Sequence, residues 1–182
     1  MSRSGIITLG LMAAVVIIAL LYIVFRDQSV VQKNNSTPAA TALLPEGEAD
    51  TFKNLAGEPI SVAEDFGSII VVSSWASWCP QCAADFPKLG EVAAEFKDQD
   101  VVVYAVNRGE DPYSAERYLA TITRPEHVQF ILDQSDYYFK NSAGYAMPET
   151  IVYNQKGEVV LQQRGELKLE ELRATLQLQV DK

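Results

Sequence analysis

Ile69-Ile70-Val71-Val72-Ser73-Ser74-Trp75-Ala76-Ser77-Trp78-Cys79-Pro80-Gln81-Cys82 is the stretch on which the fold turns. Its first four residues form a continuous β-branched run, the composition of a strand buried on both faces. A helical pattern starts at about Pro80, with Phe86, Leu89, Ala93 and Phe96 recurring at spacings of three and four. Pro87 lies inside that helix and is expected to kink it. The two cysteines of the chain, three positions apart, therefore fall where a strand gives way to a helix. Such a junction has unpaired backbone N–H groups and the positive end of the helix dipole, and both favour a thiolate. Helix-start cysteines at this spacing reach pKa values of roughly 3.5–7.5, against about 8.5 for a free thiol. Two intervening residues on a helical turn let the second sulfur reach the first, so a reversible intramolecular disulfide is expected.

Working outward, the pattern alternates. Phe52 to Phe66 holds short apolar stretches broken by Gly57 and Pro59, a small hairpin or an irregular lead-in. Val101 to Val106 is a second buried strand, residues 112–122 a helix with Tyr118, Leu119 and Ile122 inward, and Val128 to Leu132 a third strand. Tyr137 to Asn141 suggests a short helix. Thr150 to Tyr153 and Glu158 to Gln162 flank Asn154-Gln155-Lys156-Gly157, an antiparallel hairpin with Gly in the turn. Lys168 to Leu178 closes the chain as a helix, with Leu169, Leu172, Leu176 and Leu178 inward. Strands separated by helices imply parallel pairing with helices on both faces; the terminal hairpin makes the sheet mixed.

From Ile6 to Phe25 there is no charged side chain. About 20 such residues span a hydrocarbon core of about 30 Å. The run exceeds the apolar core of a cleaved signal peptide, and the nearest Ala-x-Ala pattern, Ala40-Thr41-Ala42, lies well beyond its end. Residues 1–26 are thus expected to be an N-terminal membrane anchor. Arg3 on one side and Arg26 with Lys33 on the other leave the charge rule without a vote on orientation. Residues 27–44, rich in Gln, Asn, Ser, Thr and Pro, read as a flexible linker, and residues 45–182 as the folded domain.

Composition excludes some classes. A net charge of −9 argues against nucleic acid as a partner, which needs clustered Lys and Arg to displace counterions. Two cysteines and the single His127 cannot complete a four-ligand structural zinc site without carboxylates, and no metal or other cofactor is expected beyond the disulfide itself. His127 reads as an ordinary loop residue, Tyr137 and Tyr138 as packing residues, and Trp75 and Trp78 as sharing core and substrate-platform roles.

The motif Trp75-Ala76-Ser77-Trp78-Cys79-Pro80-Gln81-Cys82, the acidic residue and proline in Asp85-Phe86-Pro87, Met147-Pro148-Glu149-Thr150 and the Gly157 hairpin together resemble the thioredoxin superfamily. Within it they resemble the membrane-anchored TlpA/ResA/DsbE-like thiol–disulfide oxidoreductases, over roughly residues 45–180. The resemblance implies an α/β thioredoxin fold, a mixed central sheet flanked by helices and preceded by one transmembrane helix. It implies that Pro148 is cis, which would set the backbone of Met147 beside the disulfide, ready to pair with a substrate chain. It also implies an extracytoplasmic, periplasm-facing domain, protein thiols and disulfides as partners together with a membrane redox partner, and a task such as keeping cysteines reduced for cytochrome c maturation. The pattern departs from the family in two places. Pro80-Gln81 stands where thioredoxin has Gly-Pro and many TlpA-like proteins Glu-Pro, and Ser73 stands where thioredoxin has a buried Asp. Proline first resembles the more oxidising motifs, in which a stabilised thiolate is a better leaving group.

Cys79 is the expected nucleophile and Cys82 the resolving thiol. Asp85, one helical turn after Cys82, is the candidate for moving the resolving thiol's proton. Trp78, Met147, Pro148 and Glu149 are candidates for contact with substrate. Two other readings compete: a non-enzymatic thioredoxin-like binding or chaperone module of a membrane complex, and a thiol peroxidase, whose Pro-x-x-x-Thr/Ser-x-x-Cys motif has no matching proline here.

Overall fold

The computed structural model describes residues 52–182. The expected membrane anchor (1–26), the linker (27–44) and the first residues of the expected domain lie outside the described residues. Among the described residues no helix is long and apolar enough to cross a membrane.

The elements run β1 (Phe52–Lys53), β2 (Pro59–Ile60), a 3-10 turn (Val62–Asp65), β3 (Ile69–Trp75), α1 (Pro80–Glu95), β4 (Val101–Arg108), α2 (Pro112–Leu119), β5 (Val128–Asp133), α3 (Tyr137–Asn141), β6 (Glu149–Tyr153), β7 (Val159–Arg164) and α4 (Leu169–Val180). They form one sheet in the order β2-β1-β5-β4-β3-β6-β7. β3, β4 and β5 are parallel, whereas β6 runs antiparallel to β3, and β7 to β6. This is the thioredoxin fold with a mixed sheet. Of the two forms left open for this stretch, β1 and β2 take the small hairpin, which also joins the main sheet through Lys53 opposite Leu132.

The crossovers β3-α1-β4 and β4-α2-β5 step in the same direction across the sheet. Right-handed crossovers taken in one direction deliver their helices to one face. α1, α2 and α4 accordingly share a single core with Ile69, Val71, Trp75, Val103, Ala105, Phe130 and Val152. The opposite face is covered by Val62 of the 3-10 turn and Tyr138 of the short α3, packed on Ile70, Val72, Tyr104, Ile131, Ile151 and Tyr153. Helices do flank both faces, but unequally.

Local expectations hold with adjustments. Phe86, Leu89, Ala93 and Phe96 are all buried, with Val92 beside them. α1 runs unbroken through Pro87. α2 stops at Leu119 rather than near residue 122, and Ile122 packs on the core from the loop beyond it. In α4, Leu172 and Leu176 are fully buried, but Leu178 is 65% exposed. At 100° per residue Leu178 falls well off the Leu172–Leu176 stripe, so apolarity alone misplaced it. His127 sits in a loop at positive φ, and Tyr138 is a packing residue, its hydroxyl 3.0 Å from that of Tyr153.

Candidate active site around Cys79 and Cys82

β3 ends at Trp75, α1 begins at Pro80, and the few residues between them carry the chemistry. Pro80 suits the first helical position, where its missing N–H would have had no partner. Cys79 is the N-cap, with an extended backbone, and its Sγ accepts the Cys82 N–H at 3.2 Å. Cys79 and Cys82 are joined in a disulfide with Cα atoms 5.4 Å apart. Cys82 lies inward, its Sγ 3.9 Å from the Ser74 carbonyl oxygen. The helix start thus points its dipole and a backbone donor at Cys79 rather than at Cys82.

The two tryptophans divide their roles instead of sharing them. Trp75 is wholly buried and donates through Nε1 to the Ala105 carbonyl at 3.2 Å, whereas Trp78, next to Cys79, is 61% exposed. Ser73 is buried and accepts from the Thr150 hydroxyl at 3.1 Å, so an uncharged pair occupies the place of a buried carboxylate.

β6 pairs with β3 so that Glu149 stands opposite Ser74. Pro148, one residue earlier, is therefore brought to the end of β3 from which the Cys79 loop leaves. The Met147–Pro148 peptide is cis. The Met147 side chain packs on the core cluster that contains both cysteines, and its backbone has no hydrogen-bond partner among the described residues. The Pro148 carbonyl is occupied by the Gly165 N–H at 2.8 Å.

Glu149 is buried but leaves the sheet on the face away from α1, because Thr150 takes the α1 face beside Ser73. Its carboxylate accepts from Gln162 at 2.6 Å, Arg164 at 3.1 Å and the Tyr145 N–H at 2.8 Å. What it gives the site is a fixed path for the 145–148 loop. Its charge is felt on the far face, where burial first and this carboxylate in addition push the Tyr153 hydroxyl up to about 12.

Asp85 is also buried, one turn after Cys82. Oδ1 pairs with Lys88 Nζ at 3.0 Å, and Oδ2 accepts the Leu167 N–H at 3.1 Å. Lys88 also reaches Glu166 at 2.9 Å and the Leu167 carbonyl at 3.1 Å. Asp85 thus clamps α1 to the segment between β7 and α4, and its oxygens have these partners rather than a sulfur.

Sequence reasoning missed Glu110. Its Oε2 accepts the Ser77 N–H at 2.8 Å and the Asn107 Nδ2 at 2.7 Å, and its Oε1 accepts the Ser77 hydroxyl at 2.5 Å. Gly109, at φ 59°, turns the chain so that Glu110 faces back toward the Cys79 loop. Nearby Tyr118, stacked on Trp75 at 5.9 Å, has its hydroxyl pushed up by burial and then by the Glu110 charge. The only sequence signal was a Gly-Glu pair between a strand and a helix, which fits any loop.

The likeness to known proteins covers the same region. Over 111 residues the chain is 28% identical to the thiol-disulfide oxidoreductase ResA of Halalkalibacterium halodurans, spanning 60% of this chain and 61% of that one. Over 93 residues it is 30% identical to the thiol:disulfide interchange protein DsbE of Pseudomonas fluorescens biotype C, spanning 51% and 49%. The match thus takes in only about half to three-fifths of these relatives' length. Among solved structures, a putative thiol:disulfide interchange protein DsbE from Chlorobium tepidum superposes with a TM-score of 0.60 at 25% identity, over 66% of this chain and 86% of that one. The sequence pattern of the Redoxin family matches residues 32–176, and on that extent, with the fold and the disulfide in place, the chain belongs to the Redoxin family.

Proposed function

We propose that the chain is a thiol–disulfide oxidoreductase of the ResA/DsbE type, exchanging disulfides with other proteins through Cys79 and Cys82. The observation that carries this is the Cys79–Cys82 disulfide at the start of α1, with the Cys79 sulfur on the helix N-terminus and an exposed Trp78 beside it. In the reducing direction the Cys79 thiolate attacks a partner disulfide. An S–S bond forms between Cys79 and one partner sulfur while the other partner sulfur leaves as a thiolate. Cys82, losing its proton, then attacks Cys79 and releases the first partner sulfur. Two electrons pass to the partner, which ends as two thiols, and the chain ends in the oxidised form described above. The reverse sequence oxidises a dithiol. Direction is set by the reduction potential against that of the compartment.

Trp78 offers an aromatic platform to the partner. Pro148 and Met147 offer backbone along which an extended segment can pair, and Glu149 holds that loop in place. Asp85 handles the Cys82 proton, which requires the carboxylate to exchange Lys88 or Leu167 for the sulfur once the disulfide opens. Asp85→Asn is expected to slow disulfide reduction by about a hundredfold near pH 7, the lower end of the effect of a general base. It should also remove one limb of the pH–rate profile; an unchanged profile discards the role.

The uncharged run Ile6–Phe25 supports tethering to a membrane with the domain on the extracytoplasmic side. There the partners would be protein thiols and disulfides and a membrane redox protein, and the task a reductant's in cytochrome c maturation. The purified chain should catalyse reduction of insulin disulfides by dithiothreitol and lose that activity as Cys79→Ser. Wild-type protein without such activity overturns the proposal; turnover of hydrogen peroxide in its place favours a peroxidase.

A further inference from the structure

We infer that Glu110 is a positioning residue for the disulfide: it grips the backbone N–H and hydroxyl of Ser77, two residues before Cys79, and so brings a carboxylate to the loop that carries the attacking sulfur. This rests on the exchange reaction proposed above and assigns it a residue outside the cysteine motif.

The short loop from Ala76 to Cys79 has little of its own to fix it. The Cys79 N–H bonds back to the Ala76 carbonyl at 3.1 Å, but both Ser77 donors, backbone and hydroxyl, go to Glu110. Glu110 is held from below by Asn107, which is fully buried at the end of β4. The Asn107 amide presents its NH2 to the carboxylate, while its Oδ1 has no partner among the described residues. Turning the amide over would set an acceptor against an acceptor, so the arrangement suits an oxygen pair that only accepts. Three donors thus converge on the two Glu110 oxygens, two on Oε2 and one on Oε1.

Two consequences oppose one another. The grip fixes where Trp78 and Cys79 stand. The charge disfavours a second negative charge nearby, so it works against the helix start that stabilises the Cys79 thiolate. Grip and charge separate chemically. In Glu110→Gln the side-chain oxygen still accepts from the Ser77 N–H, and the new NH2 can donate to the Ser77 hydroxyl oxygen, but the charge is gone. Glu110→Ala removes both.

The test uses the full chain in its reduced form. The Cys79 thiol is titrated by the pH dependence of iodoacetamide alkylation, and the disulfide is equilibrated with glutathione. Glu110→Gln should lower the Cys79 pKa by about half to one unit, as expected for removing a carboxylate bound to the same short loop as the thiol. The equilibrium should shift about three- to tenfold toward the dithiol, roughly 15–30 mV for a two-electron couple. Glu110→Ala should show the same thiol shift, but its single-turnover exchange with a peptide disulfide should run at least about tenfold below that of Glu110→Gln, because only Ala loosens the loop. A Glu110→Gln thiol pKa within about 0.2 unit of wild type overturns the inference, as do equal exchange rates for the two variants. Should Glu110→Ala not fold, Ser77→Ala removes one strand of the grip and must slow exchange without moving the thiol pKa; no slowing overturns the positioning role. Alkylation needs no turnover. Wild-type protein inert toward insulin would therefore sink the enzymatic reading alone, while an unmoved thiol in Glu110→Gln would sink this one alone.

Discussion

Cys82→Ser is expected to convert a turning-over protein into one that accumulates covalent adducts with its partners. Cys79 sits on the helix N-terminus with the Cys82 N–H directed at its sulfur, so the attacking thiolate survives the substitution. The serine still supplies that backbone donor. What is lost is the second nucleophile, buried on the inner side of the pair and 3.9 Å from the Ser74 carbonyl oxygen. The mixed disulfide formed by Cys79 then has no internal exit and waits for an external thiol. Multiple turnover with insulin should fall by at least about a hundredfold, the effect of removing a reacting group rather than adjusting one. Non-reducing gels should show bands that collapse on adding dithiothreitol. Cys79→Ser should give neither turnover nor adducts, because Cys82 lacks the helix-start position that favours a thiolate. Adducts from Cys79→Ser and none from Cys82→Ser would reverse the assignment of the two sulfurs.

How far the sequence reveals this site depends on how local each cause is. The strand-to-helix junction was legible because a β-branched run, a proline and an amphipathic period meet within a few residues, and each acts through its own backbone. The two hairpins make the same point. Asn54-Leu55-Ala56-Gly57-Glu58 and Asn154-Gln155-Lys156-Gly157-Glu158 close with the same bonds: the Asn side-chain oxygen accepts two backbone N–H groups at 2.9 Å, and the Gly takes positive φ. The second was recognised from the strands around it; the first has only two-residue strands, too short to show an alternation. Glu110 was illegible for the opposite reason. Its partners Ser77 and Asn107 are set by the register of β3 against β4, in which Trp75 stands beside Asn107, and no local pattern announces that pairing. Glu149 shows how a one-residue alternation decides a role. It follows the cis proline, yet the neighbouring Thr150 takes the face toward α1, so the carboxylate braces the loop from behind.

Trp75→Ala should be the most damaging single change to stability, and its effect separates core packing from redox tuning. Trp75 has no exposed surface and anchors a cluster of rings: Phe86 edge-on at 5.7 Å, Phe130 at 6.1 Å and Tyr118 stacked at 5.9 Å. It is the last residue of β3, so the rings meet directly beneath the loop that carries Cys79. Removing a buried Trp costs about 3–5 kcal/mol, the transfer of the side chain plus the cavity left behind. The Ala105 carbonyl also loses its indole donor. For a domain of this size that loss lowers Tm by roughly 10–20 °C. Trp75→Phe, which keeps a ring but no N–H, should lose less than half as much. Thermal melts of the oxidised and reduced forms then divide the cause. If Trp75 supports the core alone, both forms lose the same amount and the reduction potential stays put. If it also supports the loop geometry of one redox state, the losses differ, and about 1.4 kcal/mol of difference appears as about 30 mV. The buried position of Trp75, set against the exposure of Trp78, argues for equal losses. A drop below about 1 kcal/mol in both forms would mean that the ring cluster does not carry the packing assigned to it.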